Sequence, residues 1–203
     1  MEGWVITSLA DLIDRVEAGK NFRCIERPPS AGEVGVVKVS AVSWGNFREE
    51  ESKTVPDGVV LSSASRINEG DLLFSRANTV DLVGACVLVR SIGKELHLSD
   101  KILRLVTADE EIKPWIHRYL TSPGARNYFS EESSGNQLSM RNIPQKVLLE
   151  TAIPLAPFNE QRRIAAKLDA TLAAVETCRQ RLDDVAGILQ RFRQAVLAAA
   201  TSG

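Results

Sequence analysis

The eight residues Gly135-Asn136-Gln137-Leu138-Ser139-Met140-Arg141-Asn142 hold the densest group of side chains suited to reading a base edge. Arginine offers guanine a two-pronged donor, and asparagine or glutamine offers adenine a donor and an acceptor on one planar amide. Asn136, Gln137, Ser139, Arg141 and Asn142 supply such groups without apolar periodicity, which marks an exposed loop. A plain solvated loop is the alternative. Arg76, Asn78 and Thr79 follow the apolar run Leu72-Leu73-Phe74, so the same chemistry falls at the tip of a predicted hairpin, where asparagine equally satisfies a turn. Trp44, Asn46 and Arg48 combine an aromatic, an amide and a cation, as either a duplex contact or an edge-strand core would. Lys20, Arg23 and Lys101 are candidate phosphate contacts, which position a protein on a duplex without reading it. For Lys101 a surface ion pair is the alternative.

The overall charge pulls the other way. Lysine and arginine number 25 against 26 aspartate and glutamate, for a net charge of -1. Residues 1–158 carry 18 basic and 21 acidic side chains, and the remainder 7 and 5, so neither part is strongly basic. Duplex binders usually carry a basic footprint. Contact with DNA must therefore rest on local patches or on charge lent by partner subunits.

Catalytic patterns are missing. There is no Gly-rich strand-to-helix turn, no P-loop, no Asn-Pro-Pro-aromatic element and no nucleophile beside a base. His97 and His117 read as structural, and Glu49-Glu50-Glu51 as a solvated run and not a metal site. Cys24, Cys86 and Cys178 are odd in number, widely spaced and remote from both histidines, which excludes a disulfide framework or a zinc site. The expectation is a non-catalytic chain with neither cofactor nor metal.

These groups need a frame. At 203 residues the chain has room for one globular domain and an appendage. Leu9, Leu12, Ile13 and Val16 predict a short helix over 7–17, with Thr7 or Ser8 as its cap and Gly19 as its stop. From Val34 to Thr107 the texture is β-branched runs broken by turns: Val34 to Val39, Asp71 to Phe74, Leu82 to Val89 and Ile102 to Val106. Asn68 to Asp71 and Ser91 to Lys94 supply turns. Helix returns over Pro114 to Leu120 and continues from Pro123 through Phe129, and Thr151 to Pro154 forms a last strand before Pro157. The class expected is α+β, a mainly antiparallel, curved β-sheet domain with short helices, followed by one long C-terminal coiled-coil helix. No run of about 18 apolar residues and no signal-like N-terminus is present, so the chain reads as cytoplasmic.

The long helix, capped by Asn159, has its own pattern. Leu168, Val175, Leu182, Leu189 and Val196 recur every seven residues, with Ile164, Thr171, Cys178, Val185, Phe192 and Ala199 at the second position of the repeat. A 3.5-residue period held over about 36 residues, roughly 54 Å, predicts a coiled coil. A helix folded back on its own domain is the alternative. Ile164, Leu168, Val175, Leu182, Val185, Leu189, Phe192 and Val196 are then the candidate contacts to a second helix. Lys167, Arg179, Arg181 and Arg193 flank this seam, all positive, while Asp169, Glu176, Asp183 and Asp184 fall on the outer face. A partner with acidic flanks suits the seam better than a second copy, which would set cation near cation at a cost of a few tenths of a kcal/mol per exposed pair.

The segment Pro154-Leu155-Ala156-Pro157-Phe158-Asn159-Glu160-Gln161-Arg162-Arg163-Ile164 resembles the Pro-Leu-Pro-Pro-x-x-Glu-Gln-x-x-Ile element of the specificity subunits of type I restriction-modification systems, with Ala156 in place of a proline. Gly70 to Thr79 is similar to that family's Gly-Asp-Leu-Leu-x-x-Arg-x-Gly/Asn-Thr hairpin, Ser134-Gly135-Asn136-Gln137 to its Gly-x-Gln loop, and Arg193 to Gly203 to the end of its helical arms. The resemblance implies a target recognition domain over 1–157 that reads one half of a bipartite site in double-stranded DNA, and a spacer and dimerisation helix over 158–203. As partners it implies the methylation (modification) and restriction subunits, and a second long helix from the same subunit or a second copy. A full-length member has two such domains and two helices, so this chain is a half-length subunit or the N-terminal half of a longer one. The cationic flanks favour the second. An assembly scaffold that binds no DNA, or an anti-restriction decoy that keeps the helix and loses the reading loops, are the competing classes.

Overall fold

The computed structural model describes residues 3–135 and 140–201. In chain order its elements are β1 (Val5–Ser8), β2 (Ile13–Ala18), β3 (Val34–Val37), β4 (Ser52–Thr54), β5 (Leu72–Ser75), β6 (Ala77–Asn78), β7 (Cys86–Leu88), β8 (Glu95–His97), β9 (Ile102–Thr107), α1 (Lys113–Leu120), α2 (Pro123–Glu132), β10 (Arg141–Asn142), α3 (Gln145–Leu149), β11 (Ala152–Leu155) and α4 (Phe158–Thr201). The chain divides into two compact units, Met1–Ala156 and Pro157–Gly203. The α+β class is as expected.

In the first unit the strands form a four-stranded sheet, β2-β9-β5-β7, and a three-stranded sheet, β4-β3-β8, with two-stranded pairs β1-β11 and β6-β10. Every pairing is antiparallel except β3 with β8. All four residues of β5 are buried, so this strand is covered on both faces. Leu73 joins Val37, Val42, Val87, Leu96 and Ile102 in one apolar cluster. Phe74 meets Phe129 of α2 edge to face, with ring centroids 5.1 Å apart. Such a pair adds about 0.5–1.5 kcal/mol beyond its buried area. Gly84 takes φ +77°, and a Cβ there would stand 2.8 Å from that of Phe129, so glycine lets the turn before β7 lie against α2.

Several expectations fail locally. Residues 7–17 are not a helix but β1, a single 3-10 turn (Leu9–Asp11) and β2. Eleven residues make a marginal helix on their own, whereas Ile13 and Val16 here pair across β9 with Thr107 and Leu105. The run Leu82 to Val89 yields strand only over Cys86–Leu88, because Leu82 and Val83 both donate backbone N–H to the Thr79 carbonyl in a turn. The cap of α4 is Pro157, whose carbonyl accepts from the N–H groups of Glu160 and Gln161, and Asn159 lies inside the first turn. Neither β10 nor α3 has a periodic signal long enough to predict.

The second unit is α4, 44 residues long. At about 1.5 Å per residue it extends for roughly 66 Å. Its a- and d-type apolar side chains are open to solvent: Leu168 is 41% exposed, Val175 58%, Leu182 72%, Val185 43%, Leu189 51%, Phe192 64% and Val196 50%. Ile164 is half-buried. A stripe this wide and regular marks a helix shaped for lateral contact.

Candidate nucleic-acid interface

The two candidate segments, far apart in sequence, meet at one sheet edge. β6 pairs with β10, so that Asn78 stands opposite Arg141 and Ala77 opposite Asn142. Ser134 and Asn142 exchange both backbone hydrogen bonds at 2.8 Å, which brings the described residues 133–135 against 140–142. The Ile143 N–H donates to the Arg76 carbonyl, and the Arg76 N–H to the Lys101 carbonyl. Lys101 Nζ lies 4.0 Å from Met140 Sδ. Arg76, Thr79, Lys101, Arg141 and Asn142 are half-buried along this edge. Asn136, Gln137 and Ser139 lie outside the described residues.

Two of the candidates are occupied within the fold. Asn78 is 8% exposed. Its amide donates to Ser43 Oγ at 2.9 Å and its carbonyl accepts the Thr79 N–H at 2.9 Å, so it fixes the turn. Arg141 donates through Nε to Ser133 Oγ at 3.0 Å, through Nη1 to the Gly135 carbonyl at 3.2 Å and through Nη2 to the Ser133 carbonyl. Asn78 thus holds its own turn, while Arg141 ties its strand to the segment at 133–135. Gly135 is needed there, since φ is +145° and a Cβ would stand 2.5 Å from the Met140 carbonyl oxygen.

The Asn78 bond to Ser43 also draws Trp44 to the same edge. Trp44 is 52% exposed, and the Arg48 guanidinium sits 5.7 Å from its ring centroid. Asn46 is exposed in the turn between them. Lys20 shares a cleft with Lys101. Arg23, exposed, lies between Phe22 and Cys24 of that cleft's wall. Lys38, Ser43 and Lys53 belong to this neighbourhood too, and no sequence spacing singles them out.

A second basic centre is closed. Arg104 is 8% exposed. Its guanidinium donates to Glu17 and Asp71 at 2.8 Å, to the Arg66 carbonyl at 2.8 Å and to the Ala64 carbonyl. Burial pushes the Glu17 carboxyl up, but Arg15 and Arg104 outweigh it and hold the group below its ordinary value. The Glu49-Glu50-Glu51 run stays at the surface, with the Glu50 side chain 68% exposed, and each carboxylate also has a partner: Glu49 accepts from the Gly93 and Lys94 N–H groups, Glu50 pairs with Lys94, and Glu51 accepts from Ser40 Oγ. Each carboxylate finds a donor because the turn at 91–94 and the turn after β3 fold against that segment.

Ser65 Oγ lies 2.9 Å from His97 Nδ1, which superficially suggests a nucleophile and its base. The hydroxyl also lies 2.8 Å from the Ser62 carbonyl oxygen, so it stands between a backbone acceptor and the ring, and the direction of its bond to Nδ1 follows the imidazole tautomer. Among the described residues no three His, Cys, Asp or Glu side chains converge as a metal site, and no helix is long and apolar enough to cross a membrane.

The chain thus combines an α+β head, which gathers arginine, asparagine and lysine at one sheet edge, with one long helix whose apolar seam is open. The chain belongs to the type I restriction modification DNA specificity domain family, which it matches over residues 1–186. It is 28% identical over 182 residues to the type I restriction enzyme EcoEI specificity subunit of Escherichia coli, covering 89% of this chain and 31% of that one. To the StySPI specificity subunit of Salmonella potsdam it is 42% identical over 176 residues, covering 83% and 36%. The chain thus spans about a third of the length of these relatives. Among solved structures, a chain from a study of complex assembly and conformational transition in the type I R-M system aligns with TM-score 0.65 and 21% identity, over 97% of this chain and 45% of that one. The HsdS subunit of Thermoanaerobacter tengcongensis aligns with TM-score 0.58 and 20% identity, over 89% and 40%. These likenesses show the fold.

Proposed function

We propose that this chain is a DNA-reading module of a type I restriction-modification specificity subunit. The head, residues 1–157, reads one half of a bipartite target in double-stranded DNA. The helix, 158–203, lies along a second long helix through the seam from Ile164 to Val196 and fixes the distance to the other half. Modification and restriction subunits dock on the assembly and supply the chemistry, while this chain contributes none.

One observation supports the reading most: Arg76, Lys101, Arg141 and Asn142, drawn from three separate stretches of sequence, share one sheet edge. In this scheme Arg76 and Asn142 reach base edges, together with Asn136, Gln137 and Ser139 on the grounds of their chemistry. Lys20, Arg23 and Lys101 touch phosphate, with Trp44, Asn46, Arg48 and Thr79 on the flank. Asn78 and Arg141 hold the edge in position. The test is to assemble the chain with its modification subunits and sequence the methylated adenines in a random DNA library. A bipartite motif is expected, and no recurrent motif would sink the proposal.

A further inference from the structure

A cleft of about 420 Å³ opens beside the reading edge, between the segment that follows β2 and the ends of β3 and β4. Four lysines line it: Lys20 from the first of these, Lys38 after β3, Lys53 on β4 and Lys101 ahead of β9. Two carboxylates, Glu26 and Asp100, face them. Glu26 pairs with Lys53 at 2.5 Å, and among the described residues Lys20, Lys38 and Lys101 make no ion pair. The cleft therefore carries a positive surplus within a chain whose net charge is -1.

The reason lies in where the acids go. Glu17, Glu33, Glu49, Glu50, Glu51 and Asp71 are all tied to partners within the head. Among the described residues Lys53, Lys94, Lys113 and Lys146 pair with carboxylates, and the three remaining lysines of the head, Lys20, Lys38 and Lys101, all line the cleft. Lys101 belongs both to the cleft and to the reading edge, so the two surfaces are continuous.

We propose that this cleft is the track for the sugar-phosphate backbone of the duplex, with Lys38 and Lys20 as phosphate contacts that hold the strand while the edge reads it. The assignment rests on the DNA-reading role above and adds a second contact surface to it. Lysine suits this task as a compact point charge with rotatable donors, which grips a phosphate without demanding a base. Released counterions make such contacts visible: the slope of log binding constant against log salt falls by about 0.9 for each phosphate that is no longer neutralised.

The full chain, assembled with its modification subunits, is titrated with a random-sequence duplex over a salt series. Lys38→Ala and Lys20→Ala should each flatten the slope by about 0.9 and weaken binding to every duplex alike, while the methylated motif stays the same. Lys38→Arg should restore the slope. Lys38 makes its structural contacts through backbone groups, its N–H to the Glu51 carbonyl and its carbonyl to the Ala41 N–H, so the exchange leaves the frame intact. As a control, Lys146→Ala removes a lysine on α3 that pairs with Glu150, and it should leave the slope unaltered. The cleft is overturned if Lys38→Ala leaves the slope unchanged, flattens it no more than Lys146→Ala does, or changes the motif. An unaltered assembly that binds duplex with no salt dependence overturns the DNA-reading role as well, and this is seen before any variant is made.

Discussion

Lys101 and Arg104 stand three residues apart at the head of one strand and have opposite fates. Arg104 faces inward, where two carboxylates and two carbonyls take up its donors. Lys101 stays at the edge, and among the described residues it makes no ion pair. A buried cation needs every donor answered, since desolvating it costs several kcal/mol. An unanswered cation is cheap only where water or a ligand reaches it. The contrast separates the head's basic groups into those that hold the fold and those left for something outside it.

Replacing both cations by alanine tests the division directly. Arg104→Ala removes the cation that Asp71 faces, leaves Glu17 to Arg15 alone, and should cost about 3–5 kcal/mol in urea unfolding. Lys101→Ala should shift stability by less than about 0.5 kcal/mol, and its effect should appear only in duplex binding. Equal losses of stability would erase the distinction.

His117 sharpens the same point from the basic side. Burial, helped by Arg118 and Arg90, pushes its pKa down to about 4, and Nε2 is buried without a hydrogen-bond partner. Among the described residues no carboxylate is paired with this ring, and burial keeps it neutral. Because its folded pKa lies below the unfolded one, its contribution is fully present above the unfolded pKa near 6.5 and is lost as pH falls towards 4, a drop of roughly 3 kcal/mol. His117→Asn should flatten unfolding free energy over that interval. An unchanged pH profile would mean that the ring finds a partner in solution.

At the reading edge the expected change is one of preference. Arg76→Ala should relax one position of the methylated motif by about 1–3 kcal/mol of discrimination and leave the melting temperature nearly constant. If melting drops while the motif persists, Arg76 belongs with Arg104 and not with Lys101.

The sequence makes these two groups hard to tell apart. Arg76 follows one apolar run and Arg104 stands inside another, and the pairing of β5 with β9 encloses Arg104. Long signals survive: the seven-residue repeat is a single 44-residue helix, and Ile102 to Val106 falls within a strand. Short ones fail where a distant partner decides. Ile13 and Val16 fit a helical face but lie on a strand because β9 is beside them. The nearness of Arg76 to Asn142 is likewise invisible, since it depends on a two-residue ladder between segments more than sixty positions apart. Asn78 reads as an exposed tip, yet the Ser43 hydroxyl that holds its amide lies 35 residues earlier.

The links that assemble the reading edge are mostly between main-chain atoms: Ser134 with Asn142, Arg76 with Ile143 and with Lys101, β6 with β10. Such bonds are indifferent to side-chain identity. Apart from Asn78 and Arg141, whose side chains hold the edge, residues displayed there can be exchanged without breaking these bonds, so under the proposed role a lineage could explore new sequence preferences by point substitution. On that proposal, heritable change in what is recognised would be uncoupled from change in stability.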